Sequence, residues 1–168
     1  ASTLKMNEDG TMQLLMCNHD MGHGCLGVQQ QIVAEVLGLN PSDVTVSYGD
    51  TFLNGWNNGE SASRGVFVKG GAALQIASLM KELLLGYGAQ YFAIPAEQLE
   101  ICVGGVAVKG AAEKTVSYAQ LVEYVHANHQ KDLMISDTYA SHAQPGSYGA
   151  HFVDLQIDKE TGEVEILN

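Results

Sequence analysis

Positive charge is what this chain most lacks. Lysine and arginine together number 8 against 19 acidic residues, for a formal charge of −11. Phosphate polymers and anionic membranes are bound through basic surface, so neither nucleic acid nor membrane is an expected partner. An anionic ligand would have to be held by backbone N–H groups, hydroxyls and one arginine. Cysteine is scarce as well: Cys17, Cys25 and Cys102 form no regular framework. An odd, unpatterned set fits a reducing cytoplasm better than secretion. No apolar run approaches the ~20 residues of a membrane helix. No signal peptide is read either, so the expected location is cytoplasmic.

What remains, 168 residues, suits a single domain with a real core. The chain opens on Ala1 rather than Met, and the expectation is an excised segment of a larger subunit. Residues 3–7 and 11–18 predict a hairpin about Asp9-Gly10. Residues 25–37 carry Val28, Ile32, Val33, Val36 and Leu37 at helical spacing, with Gly38 as the terminator. Residues 44–48 read as a strand. Residues 49–62 form a Gly/Asn loop too long to be mere connection. A long helix then runs from Ser63 to about Phe92, with an apolar face of Val66, Ala73, Leu74, Ala77, Met80 and Leu84. Gly70 and Gly71 inside it predict the close approach of another element. A second hairpin is expected over 99–103 and 106–108. A capping box at Ser117-Tyr118-Ala119-Gln120 opens a shorter helix. Residues 134–139 read as a strand. A final hairpin over 148–158 and 163–167 alternates in polarity, predicting one buried and one wet face. The class is α+β: a mixed sheet with terminal hairpins, two main helices and a short one.

Three constellations could carry chemistry. The first is Asp20-Met21-Gly22-His23-Gly24-Cys25-Leu26-Gly27, which joins a strand to a helix. Its glycines allow a sharp turn, and the helix start behind them offers unpaired N–H groups and a positive dipole end. That arrangement suits a phosphate. A Rossmann-like dinucleotide site, with Asp50 as the ribose acid, is one reading. Against it, the strand is the second arm of a hairpin and no further β-α-β units follow.

The second constellation is Cys17, His19, His23 and Cys25, which are soft metal donors. They lack the knuckle spacing of zinc sites, so no protein-ligated metal is expected. The third is Ser61-Ala62-Ser63-Arg64-Gly65, where a Gly-rich loop meets a helix start. Two hydroxyls, free N–H groups and a guanidinium suit a phosphate; simple capping by Ser63 is the alternative. Glu60 beside it is a candidate base, though a solvated carboxylate is the expectation. His126, His129, His142 and His151 show no motif.

Met21-Gly22-His23-Gly24 and the Gln29–Gly38 run behind it resemble the "GQG…AE-LG" segment of molybdenum hydroxylases, the xanthine dehydrogenase and aldehyde oxidase type. Val44-Thr45-Val46 with Asp50-Thr51, Ala62-Ser63-Arg64 ahead of Gly70, and Val153-Asp154 with Thr161-Gly162 resemble further ordered motifs of the large subunit. The resemblance implies a molybdopterin-binding fold. It also implies oxidation of a heterocyclic (purine-like) or aldehyde carbon with oxygen from water. The implied cofactor is molybdopterin carrying molybdenum, alone or as a dinucleotide. Iron–sulfur clusters and flavin are expected on other domains or subunits, which with the rest of the molybdenum subunit and a small-molecule substrate are the implied partners. Carried over by position, the cofactor-binding residues are Met21, Gly22, His23, Gly24, Ser61, Ala62, Ser63, Arg64 and Gly65. His23 stands where the family has glutamine. No catalytic residue is expected within the chain, since the family's base-supplying glutamate maps beyond Asn168, and the segment alone is expected to be inactive. A non-catalytic structural or interaction domain is the other class of reading.

Overall fold

A computed structural model describes every residue but Asn58, Ala62, Ser63, Gln144, Pro145 and Ser147. The elements run β1 (Ser2–Met6), β2 (Met12–Met16), α1 (Cys25–Leu37), β3 (Val44–Ser47), α2 (Arg64–Phe92), β4 (Leu99–Cys102), β5 (Gly105–Val108), β6 (Ala111–Ser117), α3 (Tyr118–His129), β7 (Met134–Asp137), β8 (Leu155–Ile157) and β9 (Val164–Ile166). They make a four-stranded sheet ordered β3-β2-β1-β7, a three-stranded sheet β4-β5-β6 and the β8-β9 hairpin. Both larger sheets pack against α2.

The first sheet is mixed. β1 pairs antiparallel with β2 and β7, whereas β2 and β3 are parallel and joined by α1. Alternation sets its faces: Leu4, Met6, Met12, Leu14 and Met16 are buried while their strand neighbours are half-exposed. α1 lays Cys25, Gln29, Val33, Ala34 and Leu37 against this core. The Rossmann reading does not hold. Only β2 and β3 run parallel among the described residues, and residues 17–24 separate β2 from α1. A dinucleotide fold needs a parallel sheet and a tight first turn.

α2 differs from its expected face. Its buried stripe comprises Gly65, Lys69, Gly70, Ala72, Ala73, Ile76, Ala77, Met80, Leu84 and Gly88. Val66 and Leu74, expected inside, are exposed and border a groove with Val28 and Ile32 of α1. Lys69 lies in the stripe because it has a partner there. The close approach expected at Gly70 and Gly71 is present. A Cβ on Gly71 would lie 2.7 Å from the Tyr139 ring, and one on Gly70 would lie 3.2 Å from Ile32.

Two further expectations need correction. β6 was not anticipated: Glu113-Lys114-Thr115 gives it no apolar alternation, although Val116 is buried. The terminal hairpin forms, but Leu155, Ile157, Val164 and Ile166 are all exposed, so neither face is buried within this chain. Among the described residues, no helix is long and apolar enough to cross a membrane.

Candidate functional site

The two Gly-rich helix starts converge. Residues 17–24 leave β2 and turn into α1, whose N-cap is Gly24 in the left-handed region at φ 70°. His23 reaches from this turn to the first turn of α2. A Cβ placed on Gly65 would lie 2.6 Å from His23 Nε2 and 2.8 Å from Glu60 Oε2. Gly65 is therefore glycine because imidazole and carboxylate occupy the space a side chain would need. Around Gly22 and Gly24 the space is open, and Met21 is exposed. Ser61 is exposed and Arg64 half-buried; Ala62 and Ser63 lie outside the described residues.

The first helix start is not a free anion site. Asp20 Oδ1 accepts the Gly22 N–H at 2.9 Å and the Gly24 N–H at 3.1 Å. These bonds, Gly22 foremost, hold the Asp20 carboxyl below the ordinary aspartate range. An internal carboxylate thus takes the place a phosphate was expected to fill. A depressed folded-state pKa means the stabilisation is fully present above the ordinary pKa of about 4 and lost as pH falls through the lowered value. The Gly22 and Gly24 amide shifts should therefore titrate together in acid, with a midpoint below ~4. Asp20→Asn should abolish that titration. Flat amide shifts down to strong acid would show that the turn is held otherwise.

The second helix start carries the cations. Arg64 opens α2, and its buried Nε has no hydrogen-bond partner among the described residues. One turn later Lys69 Nζ is paired with Glu60 Oε1, with only 6% and 7% of the two side chains exposed. Burial pushes the Lys69 ammonium below its ordinary pKa, with Cys25 and Cys17 acting the other way. Glu60 is accordingly not the solvated loop carboxylate that was expected. Lys69 gave no sequence signal beyond interrupting an apolar stripe.

Beneath α1, buried Asn18 donates through Nδ2 to Gln29 Oε1 at 3.0 Å. The remaining Asn18 Oδ1 and Gln29 Nε2 are unpartnered among the described residues. Of the four soft donors, His23 and Cys25 come together with Asp20, their ligand atoms within 4.8 Å of one another. Those groups are already engaged. Asp20 takes backbone N–H groups, and the Cys25 thiol donates to the His19 carbonyl at 3.3 Å. Asp50, the ribose-acid candidate, is an exposed turn residue accepting the Phe52 N–H at 2.8 Å.

Residues 1–168 match the family model described as a molybdopterin cofactor-binding domain. The chain belongs to that family. The molybdopterin cofactor-binding domain is similar to the "Probable hypoxanthine oxidase XdhD" of Escherichia coli strain K12, at 29% identity over 164 residues. That match covers 97% of this chain and 17% of the relative. It is also similar to the "Putative xanthine dehydrogenase molybdenum-binding subunit XdhA" of the same strain, at 30% identity over 159 residues, covering 92% and 21%. Among solved structures, quinoline 2-oxidoreductase from Pseudomonas putida 86 superposes with a TM-score of 0.82 at 23% identity. There 98% of this chain and 22% of the other are covered. That likeness shows the α+β fold. The chain thus spans about a fifth of the length of these proteins. The resemblance to xanthine dehydrogenase-type molybdenum subunits, first visible in the Gly-rich motifs, is met along the whole chain.

Proposed function

We propose that this chain binds molybdopterin in a molybdenum-dependent hydroxylase or dehydrogenase that oxidises a heterocyclic (purine-like) or aldehyde carbon. The observation that carries the reading is the convergence of both Gly-rich helix starts on His23 and Gly65. One extended ligand can touch both starts only if they face each other. The unpartnered Arg64 Nε and the uncrowded backbone at Gly22 and Gly24 fit such a ligand.

The two starts do different work. Asp20 already holds the Gly22 and Gly24 N–H groups, so Met21, Gly22 and Gly24 supply shape to the pterin and His23 a ring nitrogen, rather than charge compensation. Arg64, with Ser61, Ala62, Ser63 and the first N–H groups of α2, supplies positive potential for the phosphate or dinucleotide tail. Molybdenum held by the pterin dithiolene supplies the two-electron oxidation, while the protein's share is binding and orientation. The chain contributes no catalytic acid or base and is inactive alone. Iron–sulfur and flavin domains or subunits complete electron transfer in the cytoplasm.

His23 carries the test. A neutral hydrogen bond is worth about 0.5–1.5 kcal/mol, up to roughly tenfold in affinity. In the full molybdenum subunit, His23→Ala should lower molybdopterin content per purified enzyme, and His23→Gln should restore most of it. Elemental analysis of the same preparations should show molybdenum falling with pterin and no stoichiometric zinc. Full pterin content in His23→Ala would remove His23 from the site.

A further inference from the structure

We propose that the bare face of the β8-β9 hairpin is a docking surface, and that its occupant is an apolar sheet or helix face of the same molybdenum subunit, outside residues 1–168. The inference goes beyond cofactor binding and does not depend on it.

The strand register builds the surface. Leu155 pairs with Ile166 and Ile157 with Val164, and residues directly opposite each other share a face. Gln156 and Glu165, the pair between them, point to the other face. One side of the ribbon is thus aliphatic and the other polar. The four aliphatic side chains are 46–71% exposed. A single exposed aliphatic residue is ordinary, whereas four that adjoin mark a contact surface. The ribbon is well formed. Asp158 Oδ1 accepts the Glu160 N–H at 2.7 Å, and the Gly162 N–H donates to the Asp158 carbonyl at 2.8 Å, closing the turn. At the open end the Leu167 N–H donates to the Asp154 carbonyl at 2.8 Å.

Stability, chain length and charge choose the occupant. A two-stranded ribbon alone is marginally stable in water, so its cover has to be at hand when the chain folds. A cover in the same polypeptide meets that need, because it is held at high effective concentration. The length is there as well. The chain spans about a fifth of the relatives it matches, and the family match runs over residues 1–168, hairpin included. Charge turns away a second copy. Asp154, Asp158, Glu160, Glu163 and Glu165 stand against Lys159 alone on this ribbon. Two copies stacked on their aliphatic faces would bring such ribbons to about 10 Å, close to one Debye length, where like charges still repel.

The test is made on the holoenzyme and needs no substitution. Hydroxyl-radical footprinting reads whether the face is covered. Leu155 and Ile166 should oxidise as slowly as Leu14, which is fully buried, and at least about tenfold more slowly than in urea. Rates close to those in urea would leave the face bare and overturn the proposal. Photo-leucine, a diazirine of leucine's size built in place of leucine, reads the occupant. On irradiation Leu155 should cross-link to a peptide of the molybdenum subunit outside residues 1–168. In a mixture of ¹⁴N- and ¹⁵N-labelled enzyme, the two halves of that cross-link should carry the same label. Pairs of mixed label mark a second copy, and peptides of an iron–sulfur or flavin subunit mark another chain. Either result overturns the proposal, as does a Leu155 that cross-links to nothing.

Discussion

Gly38→Ala is expected to destabilise the chain by about 3 kcal/mol, lowering Tm by roughly 6–12 °C. Gly38 ends α1 at φ 60°, where its N–H donates to the Ala34 carbonyl. An alanine there costs about 1–2 kcal/mol in backbone strain alone. Space adds the rest. The new Cβ would stand 2.4 Å from the Cys102 carbonyl oxygen, a backbone atom that cannot rotate away. The same corner holds the Gly104 N–H on the Gly38 carbonyl at 2.9 Å and the Tyr118 hydroxyl on the Leu37 carbonyl at 2.6 Å. A shift of the β4-β5 turn to relieve the clash would therefore loosen the joint between α1, the second sheet and α3. Gly86→Ala is the control: this helical position has nothing within 4 Å of a new Cβ. It should stabilise by about 0.5–1 kcal/mol. Urea unfolding of the three chains separates the outcomes. If Gly38→Ala costs no more than about 1 kcal/mol, the corner yields and does not set the angle between the layers.

How much of this was legible in the sequence follows from what each element depends on. α1 was readable end to end, because its apolar spacing and Gly38 terminator are local signals. α2 was readable in extent but not in face. Its buried stripe contains Lys69, which only its ion-pair partner Glu60 makes tolerable, and Val66 and Leu74 are exposed beside a groove that no other described residue covers. β6 is held by pairing with β5 rather than by its own pattern. The β8-β9 alternation reported a strand correctly, yet its apolar face has nothing to pack on within the described residues. At the candidate site the glycines were visible and their convergence was not, since a close approach depends on the packing of α1 against α2. Asp20 stood beside the glycines in plain view. That its carboxylate would fill the helix start itself is a matter of two N–H directions, which sequence does not carry.

Lys69→Met alone is expected to cost about 3–5 kcal/mol, the largest effect anticipated for a single side chain here. Helix α2 buries Lys69 among apolar neighbours, and the Glu60 carboxylate is buried with it. Removing the ammonium strands a carboxylate that has no hydrogen-bond donor among the described residues. Its desolvation is then uncompensated, and the chain must either protonate Glu60 or pull it into water. Either route disturbs the end of the 49–61 loop where it enters α2. The paired variant Glu60→Met/Lys69→Met removes both charges and should return to within ~1 kcal/mol of wild type, because a buried ion pair is often no more stabilising than apolar groups of similar size. Urea unfolding of wild type, both single variants and the pair closes a double-mutant cycle. A coupling near zero would mean that water reaches the pair. A large coupling with a stable Met/Met chain would mean that the two charges are dispensable for folding. Their retention in an apolar helix stripe would then need a reason outside stability.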